Sequence, residues 1–189
     1  MERRHPNVLV VNSAGNTAST TDDHLPASLV FDQLLVVGGH QRSQRQVDVA
    51  DPRFATPRSS SNVGARIDIS AAACPNPPRS TLSRTGRGGG CGTSYAAALV
   101  TSVVAAMVSI NPGLTPKQIK SLLRQSALPM AAEVDRAGST GPIKVRGRPE
   151  AGASMVQFAR MDMLQAFKLA IKSRGKPLFV EGRRGDASD

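Results

Sequence analysis

Hydrophobic residues in this chain fall into two kinds of run. Val8-Leu9-Val10-Val11 and Leu34-Leu35-Val36-Val37 are short and continuous, closed by Asn12-Ser13-Ala14-Gly15-Asn16 and by Gly38-Gly39. Continuous rather than alternating apolarity predicts strands buried on both faces, as in a parallel sheet, each stopping at its turn residues. A weaker third strand is expected at Ile67-Asp68-Ile69-Ser70, ahead of Ala71-Ala72-Ala73. The second kind of run is longer. Tyr95 to Ile110 is apolar nearly all round a helix, opened by Gly92-Thr93-Ser94 and stopped by Asn111-Pro112-Gly113. Such a helix needs cover on most sides. It is shorter than the about 20 residues that span a bilayer, and it contains Thr101 and Ser102, so it reads as a core helix and no membrane is expected.

Thr115-Pro116-Lys117-Gln118 predicts a further helix start, with a capping Thr, Pro in the first turn and Gln three residues after the cap. Ile119, Leu122 and Leu123 give that helix one apolar stripe. Residues 133–152 read as irregular chain, and Met161 to Ile171 as a helix with Leu164, Phe167 and Leu169 set among Asp162, Lys168 and Lys172. Pro75 to Gly92 is a loop rich in Pro, Ser, Arg and Gly. The expected architecture is α/β, a parallel sheet flanked by helices over residues 1–173, followed by a disordered tail at 174–189.

Composition narrows the partners. With 189 residues, 40% apolar and 20% charged, the chain can bury a core. Aromatic content of 3% is too low for a groove of base-stacking rings, so the net charge of +10 has to be explained otherwise. The arginines are scattered from Arg3 to Arg184 without a run of like charge, which fits a solvated surface better than a nucleic-acid stripe. The start, Met1-Glu2-Arg3-Arg4-His5-Pro6, lacks the apolar stretch of a signal peptide.

Two segments place small or polar residues where apolar elements end. Ser13-Ala14-Gly15-Asn16 follows a strand, and Gly92-Thr93-Ser94 begins the apolar helix. Strand C-termini and helix N-termini are where α/β folds bind ligands, because free N–H groups and the helix dipole favour negative charge there. Taken singly, Ser or Thr before a helix is ordinarily a cap, and Gly-Asn after a strand an ordinary turn. Their combination says more. V-L-V-V-N-S-A-G-N, then L-L-V-V-G-G, S-S-S-N-V-G, I-D-I-S-A and G-T-S-Y-A-A-A-L-V, with N-P-G-L-T-P-K-Q-I-K after it, resembles the C-terminal half of subtilisin-like serine peptidases. The resemblance runs from about residue 6 to about residue 170.

It implies a subtilisin-like, three-layer α/β domain that is incomplete at its N-terminal side, acting on polypeptide substrates without a cofactor. It also implies that Ser94 is the nucleophile, within Gly92-Thr93-Ser94, and that Asn16, after Gly15, is the side-chain donor to the oxyanion. Three departures stand out. Tyr95 follows Ser94 directly, Ala98 and Leu99 occupy the family's Pro and His positions, and Ala71-Ala72-Ala73 replaces Ala-Pro-Gly. The family's Asp-Ser/Thr-Gly and His-Gly-Thr contexts are absent. His5, His24 and His40 lack such surroundings, and His24 beside Asp22 and Asp23 reads as a polar loop. A triad acts as a unit, so the chain alone is expected to be inactive unless a companion chain supplies the Asp and His.

Cys74 and Cys91 bracket the Pro/Gly-rich loop; in an exported relative they would form a disulfide, and in a reducing compartment two free thiols. No Cys/His spacing suits a metal. Relatives are often extracellular or periplasmic, and the location of this chain stays open. The competing reading is a non-catalytic basic binding protein on a peptidase-derived scaffold.

Overall fold

The computed structural model describes residues 4–19, 21, 24–43, 45–58, 60–74, 91–130, 133–136, 139–142 and 159–175. Three strands form the parallel part of a mixed sheet: β1 (Val10–Ser13), β2 (Leu34–Arg42) and β4 (Ile69–Ala72). Both of their pairings are parallel, Val10 with Leu34 and Val37 with Ile69. β3 (Ala55–Pro57) joins β2 antiparallel. β8 (Ala159–Arg160) continues β4 in parallel, and β5 (Leu128–Pro129) closes that side antiparallel to β8. β1 forms the other edge of the sheet. β6 (Glu133–Arg136) and β7 (Ser139–Pro142) form a separate antiparallel pair in the stretch expected to be irregular. Their Glu-Val-Asp-Arg and Ser-Thr-Gly-Pro sequences lack the apolar alternation that signals a strand.

The alternation of side chains across β2 separates two apolar layers. Leu35 and Val37 face Val100, Val103 and Met107 of α1 (Thr93–Ile110), Leu122 and Leu123 of α2 (Pro116–Ser126), and Ala166 and Ala170 of α3 (Met163–Lys172). Leu34 and Val36 face Ala14 and Ala27, with Val10, Phe31 and Ile67 beside them. Leu34 to Val37 are wholly buried, each such side chain contributing about 1.5–3 kcal/mol by leaving water.

β2 does not stop at Gly38-Gly39. It runs on to Arg42, because Gly39 is there for closeness: a Cβ on it would lie 2.9 Å from the Ala73 Cβ and 3.3 Å from Thr93 Cγ2. The strand thereby passes directly beneath the start of α1.

α2 begins as its sequence predicts. Thr115 Oγ1 accepts the Gln118 N–H at 3.3 Å, and Gln118 Oε1 accepts the Thr115 N–H at 2.9 Å. α3 starts later than Met161, since the Asp162 carboxylate caps it by accepting the Gln165 N–H at 3.0 Å.

α1 differs from expectation in its cover. One face packs on the sheet, but Tyr95 and Leu99 on one flank and Val108 on the opposite flank are 38%, 46% and 38% exposed. At 18 residues it is long and apolar enough to cross a membrane by length and composition, although Val100 and Met107 are fully buried against the protein's own core. The expected tail at 174–189 lies outside the described residues from 176 onward.

Candidate active site

At the end of β1 the chain must turn sharply. Ala14 still donates its N–H to Val37 O at 2.8 Å, and Gly15 then takes φ +100. A side chain there would be strained by that φ and would come within 2.5 Å of Asn62 Nδ2. The turn delivers Asn16 to the N-terminus of α1. Gly92, the N-cap of α1, has no side chain with which to cap it. Asn16, 77 residues away in sequence, supplies that function: its Oδ1 accepts the Thr93 N–H at 2.9 Å and the Thr93 Oγ1–H at 3.2 Å.

These two bonds fix the orientation of the amide. A backbone N–H can only donate, so the atom facing Thr93 is the Asn16 carbonyl oxygen. The Nδ2 group points elsewhere and has no acceptor among the described residues. Gly92 leaves room for it, as a Cβ there would sit 3.4 Å from both Asn16 Nδ2 and Oδ1.

Ser94 is the second residue of α1 and is exposed. Its N–H belongs to the first helical turn, where backbone donors have no partner within the helix and the dipole favours negative charge. Among the described residues neither that N–H nor the Ser94 hydroxyl has a hydrogen-bond partner. Asn16 Nδ2 and the Ser94 N–H are thus two donors without a partner among the described residues, on residues linked through Thr93: Asn16 by its two bonds to Thr93, Ser94 as the next residue of α1.

The model of the subtilase family (Peptidase_S8) matches residues 1–155. This chain belongs to the subtilase family. Subtilases are serine peptidases, and solved structures show the same fold. The chain is 21% identical to a subunit in the subtilase cytotoxin SubAB assembly, covering 90% of this chain and 51% of that one, with TM-score 0.59. It is 22% identical to the A-subunit of the AB5 toxin from E. coli, over 89% of this chain and 52% of that one, with TM-score 0.55. With the patellamide maturation protease PatA it shares 25% identity over 92% of this chain and 54% of that one, with TM-score 0.52. No curated protein sequence matches the chain. This subtilase chain spans about half the length of the solved structures it resembles.

The strand turn and helix start come together, whereas the three histidines do not assemble a base. His24 lies over the turn, its Cδ2 and Nε2 3.0 Å from where a Gly15 Cβ would be. His5 is exposed and is engaged through its backbone carbonyl. His40 sits in β2, where burial first and Arg160 second push its pKa down to about 4, so it is neutral at pH 7. Cys74 and Cys91 are joined as a disulfide with Cα atoms 4.5 Å apart, and the Gly92 N–H donates to Ala73 O at 2.8 Å. Two bonds, one covalent, thus tie the end of β4 to the start of α1. Among the described residues no group of three His, Cys, Asp or Glu side chains is placed to hold a metal.

One residue that holds this site was missed by sequence reasoning. Asn62 is buried and bonds to both flanks of Asn16. Its signals were its place in the polar run Ser59-Ser60-Ser61-Asn62, which by itself reads as loop, and in the S-S-S-N-V-G segment of the family resemblance, neither of which gives it a role.

Proposed function

We propose that this chain is the nucleophile-bearing half of a subtilase serine endopeptidase. Ser94 attacks the peptide carbonyl, and the resulting oxyanion is held by Asn16 Nδ2 and the Ser94 N–H. The oxyanion collapses to an acyl-enzyme on Ser94 as the C–N bond breaks and the amine leaves with the proton taken from Ser94, and water then hydrolyses the ester. The observation that carries this reading is the Asn16 amide, whose oxygen is held by Thr93, the residue before Ser94, which leaves its nitrogen as the free donor end.

The proton of Ser94 needs a base, and none of the described histidines bonds to the hydroxyl. A segment bearing His and Asp, on a longer form of this chain or on a companion polypeptide, supplies it, seated where the subtilase scaffold is open. β1 is an edge strand whose Val10 and Val11 pack into opposite apolar layers, the pattern of an interior strand. Next to it, Leu9, Val104, Val108, Leu114 and Ile119 line a cavity of about 420 Å³, and Tyr95 and Leu99 lie exposed on α1.

The test is active-site labelling with a fluorophosphonate. The isolated chain is expected to stay unlabelled, whereas the chain combined with a polypeptide carrying the His-Gly-Thr and Asp-Ser/Thr-Gly segments is labelled at Ser94, and Ser94→Ala abolishes this. Labelling of the isolated chain at Ser94 would overturn the need for a companion. An assembled complex that never labels would overturn the peptidase reading.

A further inference from the structure

Asn62 is a polar side chain with 1% exposure, and its bonds converge on one short segment. Its Oδ1 accepts the Thr17 N–H at 3.0 Å, the Thr17 Oγ1–H at 2.9 Å and the Ser19 N–H at 3.2 Å. Its own N–H donates to Gly15 O at 2.9 Å. These partners lie on both sides of Asn16. The Asn62 Nδ2 occupies the space that a Gly15 side chain would need.

Neighbouring residues extend the lacing. Ala18 N–H donates to Ser60 O at 3.0 Å, and Val63 N–H to Ser19 O at 3.0 Å. Within this frame Ala18 holds φ 53, a left-handed conformation that a residue with a Cβ adopts only when its surroundings impose it.

Thr93 fixes the tip of the Asn16 side chain but not the backbone from which that side chain springs. A hydrogen-bond donor displaced by about 1 Å from a developing charge loses much of its effect. We propose that Asn62 is a positioning residue for the oxyanion donor: it sets residues 15–19 so that Asn16 Nδ2 stays aimed beside Ser94, and it touches no substrate itself. This rests on the reading of Asn16 as an oxyanion donor. An amide suits the task better than a carboxylate. Three donors converge on one acceptor oxygen, and a neutral acceptor adds no negative charge near a site that must stabilise an anion.

Two measurements test it, the first independent of activity. By NMR on the full chain, the Thr17 and Ser19 amides should exchange at least about tenfold more slowly than in unstructured peptide, and the Asn16 side-chain NH₂ pair should lie away from its random-coil position. In Asn62→Ala both signatures disappear while the Val100 and Leu123 methyl signals stay in place; in Asn62→Asp, which keeps the acceptor, the amide protection remains. If the core methyls collapse in Asn62→Ala, the wild-type exchange and Asn62→Asp decide. Unprotected Thr17 and Ser19 amides in the wild type overturn the proposal.

The second measurement uses the chain assembled with its companion. Asn62→Ala lowers kcat about tenfold with KM within about twofold, and costs nothing further in the Asn16→Ala background. A loss that adds in full to that of Asn16→Ala overturns the proposal. A wild-type assembly without activity counts against the peptidase reading alone, and the NMR measurement still decides the role of Asn62.

Discussion

Asn16 uses its two amide ends differently, and substitutions can separate them. The oxygen caps α1 through Thr93, while the nitrogen has no acceptor among the described residues and is the proposed oxyanion donor. Asn16→Asp keeps an oxygen for Thr93 and adds negative charge at a helix N-terminus, so the fold is retained. It removes the N–H donor and sets a carboxylate against the oxyanion. In the assembled peptidase it is expected to lower kcat by about 10²–10³ with little change in KM, the usual effect of losing an oxyanion donor. Thermal melting checks the first half of this statement and steady-state kinetics the second. Equal losses of stability and rate would show that Asn16 is only a cap.

At the scale of elements, α2 is fastened to the sheet by one buried carboxylate. Asp68, with its side chain 4% exposed, accepts the Val36 N–H at 2.9 Å, pairs with Arg124 and lies 3.4 Å from Lys120 Nζ. Lys120 also donates to Leu34 O at 2.6 Å, and burial lowers its pKa. Removing the carboxylate leaves a buried N–H and a part-buried ammonium uncompensated. Asp68→Ala should therefore cost about 3 kcal/mol in urea unfolding. Arg53→Ala, which breaks the exposed pair with Asp51, should leave the midpoint unchanged; equal shifts in both variants would refute the special role of Asp68.

The existence and kind of the main elements were legible in the sequence because β1, β2, α1 and α2 carry strong local patterns. What stayed hidden depends on residues distant in the chain. The cap of α1 comes from 77 residues earlier in the chain, Gly39 is selected by Ala73 and Thr93, and Asp68, just before β4, is placed there for the sake of α2. The strand pair at 133–142 was missed for a different reason, since Glu133-Val134-Asp135-Arg136 gives no periodic signal at all. For the site, Gly15-Asn16 and Gly92-Thr93-Ser94 could be picked out as segments, but their juxtaposition required the resemblance to a whole family. Asn62 lies in the S-S-S-N-V-G segment, but its role carried no signal because three donors meeting on one oxygen is a property of folded space.

For the molecule as a whole, the unprotected side is its main liability. Among the described residues one side of β1 is unpaired and carries no Lys, Pro or bulge, and α1 exposes Val108 near Leu9 and Tyr95 and Leu99 on its opposite flank. Free strand edges and apolar faces associate. Sedimentation of the isolated chain should show concentration-dependent self-association, reduced by Leu99→Lys with Val108→Lys and abolished when the companion is bound. A monomer at every concentration would contradict both the interface and the seat proposed for the companion.

The reach of Asn16 across 77 residues to Thr93 has one more consequence. In the proposed enzyme, nucleophile and oxyanion donor sit at the same helix end, while the proton acceptor lies on the segment that bears the His. Errors in docking the two halves then fall on the distance between hydroxyl and base and leave the oxyanion donor undisturbed. A loosely assembled enzyme would keep its grip on the tetrahedral intermediate and lose speed in proton transfer, so buffer bases small enough to enter the gap should restore part of its rate.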